Sequence, residues 1–115
     1  MSLKMDTREA NGVVIIDLNG QITLGEAGAD LRNEIRDQTS SGFRKILLNL
    51  GDVTYIDSAG LGELTAAYMS VKNRGGELKL LNLTKRVRDL MQITKLYTVF
   101  DVHDDERKAI ASFAS

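Results

Sequence analysis

The sequence contains no cysteine, no proline, no tryptophan and one histidine. Without cysteine there is no disulfide framework, no thiolate nucleophile and no Cys-ligated zinc. A single histidine excludes a two-His metal site within one chain, so neither a metal nor a cofactor is expected. Aromatic residues make up only 5% of the chain, which leaves few platforms for stacking bases. Charge of one sign is lacking as well: 15 Lys and Arg stand against 16 Asp and Glu, a formal net charge of −1. Nucleic-acid binders usually carry a basic domain, so that class is disfavoured. No apolar run approaches the roughly 18 residues of a membrane span. The N-terminus also lacks the basic flank and apolar stretch of a secretory signal. A cytoplasmic protein without membrane insertion is expected.

The 115 residues that are present fit one domain. A chain of this size buries roughly 65% of its extended surface, enough for one core. The expected domain runs from 4 to 115, with Met1-Ser2-Leu3 given no weight in the fold. Three apolar runs of about six residues read as strands: 13–18, 45–50 and 78–83. Their starts lie about 32 residues apart, the size of one βαβ unit. Asn11-Gly12 is a two-residue hairpin signal, which makes 4–10 an antiparallel edge strand on 13–18.

Amphipathic stretches fill the gaps. Ala27, Leu31 and Ile35 stripe a helix over 26–40, and Leu61, Leu64, Tyr68 and Val71 stripe another over 59–73. Thr84 is an N-cap type opening a helix over 84–92, with Val87, Leu90 and Met91 as its apolar face. A last helix is expected over 104–114, with Asp104, Asp105 and Glu106 in its first turn, where acids suit the helix dipole. Gly42 and Gly75-Gly76 stand where helices stop. Thr98-Val99-Phe100 could add a short last strand. The order β-β-α-β-α-β-α-(β)-α implies an α/β domain with a mostly parallel sheet and one antiparallel edge.

The segment most unlike ordinary helix or strand is Tyr55-Ile56-Asp57-Ser58-Ala59-Gly60-Leu61-Gly62. It follows a buried strand and a short loop over 51–54, and it opens a helix. Asp57 and Ser58 are both N-cap types, and either one could cap. Gly60 and Gly62 are poor helix formers, each costing about 1 kcal/mol relative to Ala. They clear side chains from a helix start, where free N–H groups favour anions. Close packing of helix on sheet explains the same pattern without any function.

Catalytic templates fail at this segment. A nucleophile elbow would need Gly where Ile56 stands, and a dinucleotide fingerprint starting at Gly60 would end on Thr65. A Ser-His-Asp triad would need His103, which reads as a solvated loop residue. A phosphoacceptor receiver domain would match Asp57 but needs an acidic pair after the first parallel strand, and Leu18-Asn19-Gly20 supplies none. An independent enzyme is therefore not expected. Lys85-Arg86-Val87-Arg88 forms a small basic patch, either a solvated helix face or a contact for an acidic partner.

The Asp57–Gly62 segment resembles that of the STAS domains, named for sulfate transporters and anti-sigma-factor antagonists. Gly20-Gln21-Ile22-Thr23, Asn49-Leu50 through Ile56, and Gly75-Gly76-Glu77-Leu78-Lys79-Leu80 are similar to other stretches of that family. The likeness covers nearly the whole chain. It implies a mixed sheet covered mainly on one side by about four helices. For stand-alone members it implies an anti-anti-sigma factor, with Ser58 phosphorylated by a serine kinase of histidine-kinase-like ATPase fold that doubles as the anti-sigma factor. A metal-dependent serine phosphatase then restores the unphosphorylated form. Asp57 is expected to orient the Ser58 hydroxyl, and Thr23, Ala59, Gly60, Leu61 and Gly62 to join the partner surface. Ala59 stands where many antagonists have a second hydroxyl, and Thr23 where many have Asp. The alternative within the family is a scaffold or adaptor in a stressosome, chemotaxis-like or lipid-transport system, without sigma output.

Overall fold

A computed structural model describes residues 3–113. Five strands, β1 (Leu3–Ala10), β2 (Val13–Ile22), β3 (Lys45–Ile56), β4 (Glu77–Leu81) and β5 (Val102–His103), form one sheet in the order β1-β2-β3-β4-β5. β1 pairs antiparallel with β2, and the remaining pairs are parallel. The four α-helices are α1 (Glu26–Ser40), α2 (Ser58–Asn73), α3 (Lys85–Thr94) and α4 (Glu106–Ala111). Three successive crossovers step the same way along the sheet, and right-handed crossovers then place α1, α2 and α3 on one face. The mixed sheet, the antiparallel edge and the helices mainly on one side are as the sequence implied.

Strand alternation sorts the core between the faces. Val14, Ile16, Ile46, Leu48, Leu78 and Leu80 pack with Leu31, Leu64 and Met91 under the three helices. Val13, Ile15, Leu47 and Leu81 point the other way, onto Ala109 and Phe113 of the α4 segment. Asn11 and Gly12 have φ of 53° and 80°, the two left-handed positions that the hairpin turn requires. No helix among the described residues is long and apolar enough to cross a membrane.

Several boundaries differ from expectation. Leu3, given no weight beforehand, opens β1 and is buried in the core. Residues 98–100 are not a strand: Leu96–Thr98 form a single 3-10 turn, and the last strand is Val102–His103. The apolar character of Val99 and Phe100 serves packing instead, with Phe100 meeting the Tyr68 ring edge-on at 5.5 Å. His103 is no solvated loop residue. It sits half-buried in β5, with Nε2 3.2 Å from Asp101 Oδ2 and 3.3 Å from Ser112 Oγ. Both contacts use the same ring nitrogen, so no relay from carboxylate through imidazole to hydroxyl is formed. The last helix ends at Ala111 rather than 114, which lies outside the described residues, as does the expected domain limit at 115.

Arg8 on β1 ties the hairpin to α4. Its guanidinium lies 2.7 Å from Asp17 and 2.6 Å from Glu106. Hydrogen bonds from Arg8 hold both carboxyls below their usual range. Their unfolded values lie near ~3.9 and ~4.3. The stabilisation is therefore complete above about pH 4 and is lost as pH falls through the lower folded values. All three groups are partly solvated, so Arg8→Ala is expected to cost only about 1 kcal/mol at neutral pH. Urea unfolding across a pH series should show the gap to wild type closing below about pH 4. A gap independent of pH would show that Arg8 acts through packing alone.

Candidate functional site

The site is built where β2 and β3 run on together beyond the end of β4. β3 pairs with β4 only up to Asn49, but with β2 as far as Ile56, through two register shifts. Ile22 and Ile56 thus end side by side, both buried. The Ile22 carbonyl accepts a hydrogen bond from the Asp57 N–H at 3.3 Å. α2 starts one residue later, pressed against the same carbonyl. A Cβ at Gly60 would overlap the Ile22 oxygen and approach its carbonyl carbon to 2.7 Å. Gly60 is thus the residue that lets helix meet strand end.

Asp57 is the N-cap. Its Oδ1 accepts from the Gly60 N–H at 2.7 Å, and its Oδ2 accepts from the Leu24 N–H at 3.2 Å. One carboxylate therefore caps α2 and pins the β2–α1 loop beside it. This differs from the expectation that Asp57 orients the Ser58 hydroxyl, because both oxygens are engaged by backbone amides. Ser58 takes the first helical position and is exposed. Its hydroxyl has no hydrogen-bond partner among the described residues.

The other expected site residues divide by depth. Gly60 and Leu61 lie beneath the surface, Leu61 being 2% exposed, and shape the site without offering contact area. Thr23 and Ala59 are half-buried, and Gly62 is exposed with open space where a Cβ would stand. Nothing inside the fold requires glycine at 62. Sequence reasoning missed Leu24 as a neighbour, and it missed the contact that Tyr55 makes. Leu24 is 80% exposed, a leucine set in a turn rather than an apolar stripe. Tyr55, on the strand leading to Asp57, is exposed, and the Arg86 guanidinium lies 4.3 Å from its ring centre. Leu24 was legible only as an apolar residue outside every periodic pattern, and the Tyr55–Arg86 contact left no local signal.

Among the described residues no group of three or more His, Asp or Glu is placed to hold a metal ion. A groove of about 230 Å³ lies between α1 and α2, lined by Arg32, Arg36, Ala66, Ser70 and Arg74. It does not include Ser58.

The profile of the STAS domain matches residues 4–109. The chain is 31% identical to the anti-sigma-B factor antagonist of Bacillus subtilis strain 168, over 89% of this chain and 92% of that protein. It is 25% identical to the anti-sigma F factor antagonist of Paenibacillus polymyxa, over 96% of this chain and 94% of that one. The crystal structure of an anti-sigma factor antagonist from Mycobacterium paratuberculosis superposes with a TM-score of 0.83, at 20% identity, covering 96% of this chain and 93% of the other. With a strand-order, a capped glycine-lined helix start and a profile match that coincide over nearly its full length, the chain belongs to the STAS domain family.

Proposed function

We propose that the protein is an anti-sigma-factor antagonist that works by partner switching. In its unphosphorylated form it binds an anti-sigma factor that is also a serine kinase, and phosphorylation of Ser58 releases it. The observation that carries this reading is the presentation of Ser58: an exposed hydroxyl on the first turn of α2, unbonded, beside an exposed leucine and an open glycine. Relatives matched along most of their length are named anti-sigma factor antagonists. A related fold, SpoIIAA, is known in a structure described as its phosphorylated form. The remaining elements of the reading are a phosphatase that restores Ser58, a cytoplasmic location, and a regulatory rather than enzymatic role.

The chemistry suits a switch. Phosphorylation adds about −1.5 to −2 charges at neutral pH. The first-turn amides of α2 without intrahelical acceptors partly offset that charge, while Asp57 next door opposes it. The change is confined to the surface, because Asp57 and Gly60 fix the backbone beneath it. A docked partner is then repelled without refolding of the domain.

Incubation with the cognate kinase and ATP is expected to place one phosphate on Ser58, located by mass spectrometry of the peptides. Ser58→Ala should take no phosphate and still bind. Ser58→Glu should bind the kinase at least tenfold more weakly, a loss of about 1.4 kcal/mol. Phosphate on another residue only, or unchanged affinity in Ser58→Glu, would sink the reading.

A further inference from the structure

The basic patch on α3 has no structural duty that explains it. Lys85, Arg86 and Arg88 occupy the first, second and fourth positions after the N-cap Thr84, and the first turn contains no acid. A helix N-terminus carries partial positive charge, so cations there are disfavoured and acids favoured. Lys85 is compensated by Asp89, 2.7 Å away one turn on. Arg86 and Arg88 have no carboxylate within ion-pair distance among the described residues. Arg86 instead stands over the Tyr55 ring, with its guanidinium carbon 4.3 Å from the ring centre.

This patch adjoins Ser58. Tyr55 precedes Ser58 by three residues, a span of at most about 11 Å of extended chain. α2 and α3 both start from the ends of neighbouring parallel strands, so their first turns share one rim of the domain. Leu24, pinned to Asp57, completes the rim on the other side. Of the acids nearby, Asp57 is engaged by two amides and Glu26 opens α1, while Asp52 lies exposed on β3 three residues before Tyr55. An arginine over an exposed tyrosine is the kind of pair that protein interfaces concentrate, since Tyr and Arg give large contact with little loss of freedom.

We infer that Tyr55 and Arg86 form a second, electrostatic half of the docking surface, and that the partner meets them with acidic side chains; Arg88, two residues on, lies on the other flank of the helix. The inference rests on the partner-switching reading and specifies the partner's chemistry. The two halves divide the work. Ser58, Leu24 and Gly62 decide whether docking is permitted. Arg86 selects an acidic partner and speeds its approach.

The test compares wild type, Arg86→Glu and Arg86→Gln for binding to the purified cognate kinase at low and high salt. Charge reversal places an acid at a helix N-terminus, so the variant should fold with an unchanged or raised Tm. Lys108→Glu, on the opposite face, controls for net charge. The reversal is expected to weaken affinity at least tenfold at low salt, mainly through slower association, and to remove most of the wild-type salt dependence. Arg86→Gln should fall between, and Lys108→Glu should match wild type. A reversal that binds as tightly as wild type, while Ser58→Glu still abolishes binding, overturns the inference and leaves the switching reading intact. An effect of Arg86 seen only with phosphorylated protein also overturns it, since the arginine would then hold the Ser58 phosphate rather than a partner. If Ser58→Glu changes nothing, the reading beneath the inference fails with it.

Discussion

Gly60→Ala is expected to destabilise the protein by about 3 kcal/mol, at the upper end for a single added methyl. Gly62→Ala, two residues along the same helix, should instead stabilise it by about 0.5–1 kcal/mol. The opposite signs follow from what lies outside each Cα. At 60 the new Cβ would overlap the Ile22 carbonyl, which is backbone and cannot rotate away. The start of α2 would have to lift off the end of β2. That movement strains the hydrogen bond from Asp57 N–H to Ile22 O and the Asp57 cap at Gly60 N–H. Leu24, held by the other Asp57 oxygen, would move with them. At 62 the Cβ meets nothing within 4 Å, so only the helical propensity of alanine is felt. Urea unfolding of both variants at neutral pH measures the pair. Equal stabilities would contradict the close approach at Gly60. If the open surface at 62 is kept for a partner, Gly62→Ala should bind the kinase more weakly although it is more stable.

The contrast also shows what the sequence could and could not convey. Two glycines at a helix start marked the place, and their shared cost was legible from propensity. Only the packing separates a glycine needed by the fold from one the fold does not need. The same holds for the cap. Asp57 and Ser58 were equivalent as residue types, and what decides between them is the Leu24 amide, brought to the second carboxylate oxygen from 33 residues away. Strand and helix order was legible because apolar runs and stripes alternate at the spacing of βαβ units. The length of β3 was not: Gly51-Asp52 reads as a loop, yet register shifts against β2 carry the strand on to Ile56. The strand expected at 98–100 failed because Val99 and Phe100 are apolar for burial beside Tyr68, and burial alone does not distinguish a strand from a packed turn. His103 was misjudged because its partners, Asp101 and Ser112, come from either side of a two-residue strand.

Lys79 is the least legible residue of the core, and Lys79→Ala is expected to cost about 2–3 kcal/mol. It sits in β4 between Leu78 and Leu80, and only 7% of it is exposed. Strand alternation turns Leu78 and Leu80 toward α1–α3 and turns Lys79 and Leu81 toward α4. α4 has six residues, too few to be stable alone, and its apolar contact is small. It is held by a charge at each end. At its start Arg8 grips Glu106, and at its finish the Lys79 ammonium donates to Ser112 O and Ser112 Oγ, each at 2.9 Å. An anion at the N-terminus and a cation at the C-terminus both follow the helix dipole. The ammonium also pairs with Asp101 at 2.9 Å and lies 5.0 Å from the centre of the Phe113 ring. Breaking a fully buried pair costs about 3–5 kcal/mol, but Asp101 is half-exposed and regains water, which sets the lower figure. Lys79→Met keeps the apolar stem and should recover part of the loss. Hydrogen exchange should show the amides of Ala109 and Phe113 exposed in Lys79→Ala, while α2 stays protected. Because α4 lies across the sheet from Ser58, binding of the proposed kinase partner should be unchanged at temperatures where the variant remains folded. Protection of Ala109 and Phe113 equal to wild type would show that the apolar cluster holds α4 without the lysine.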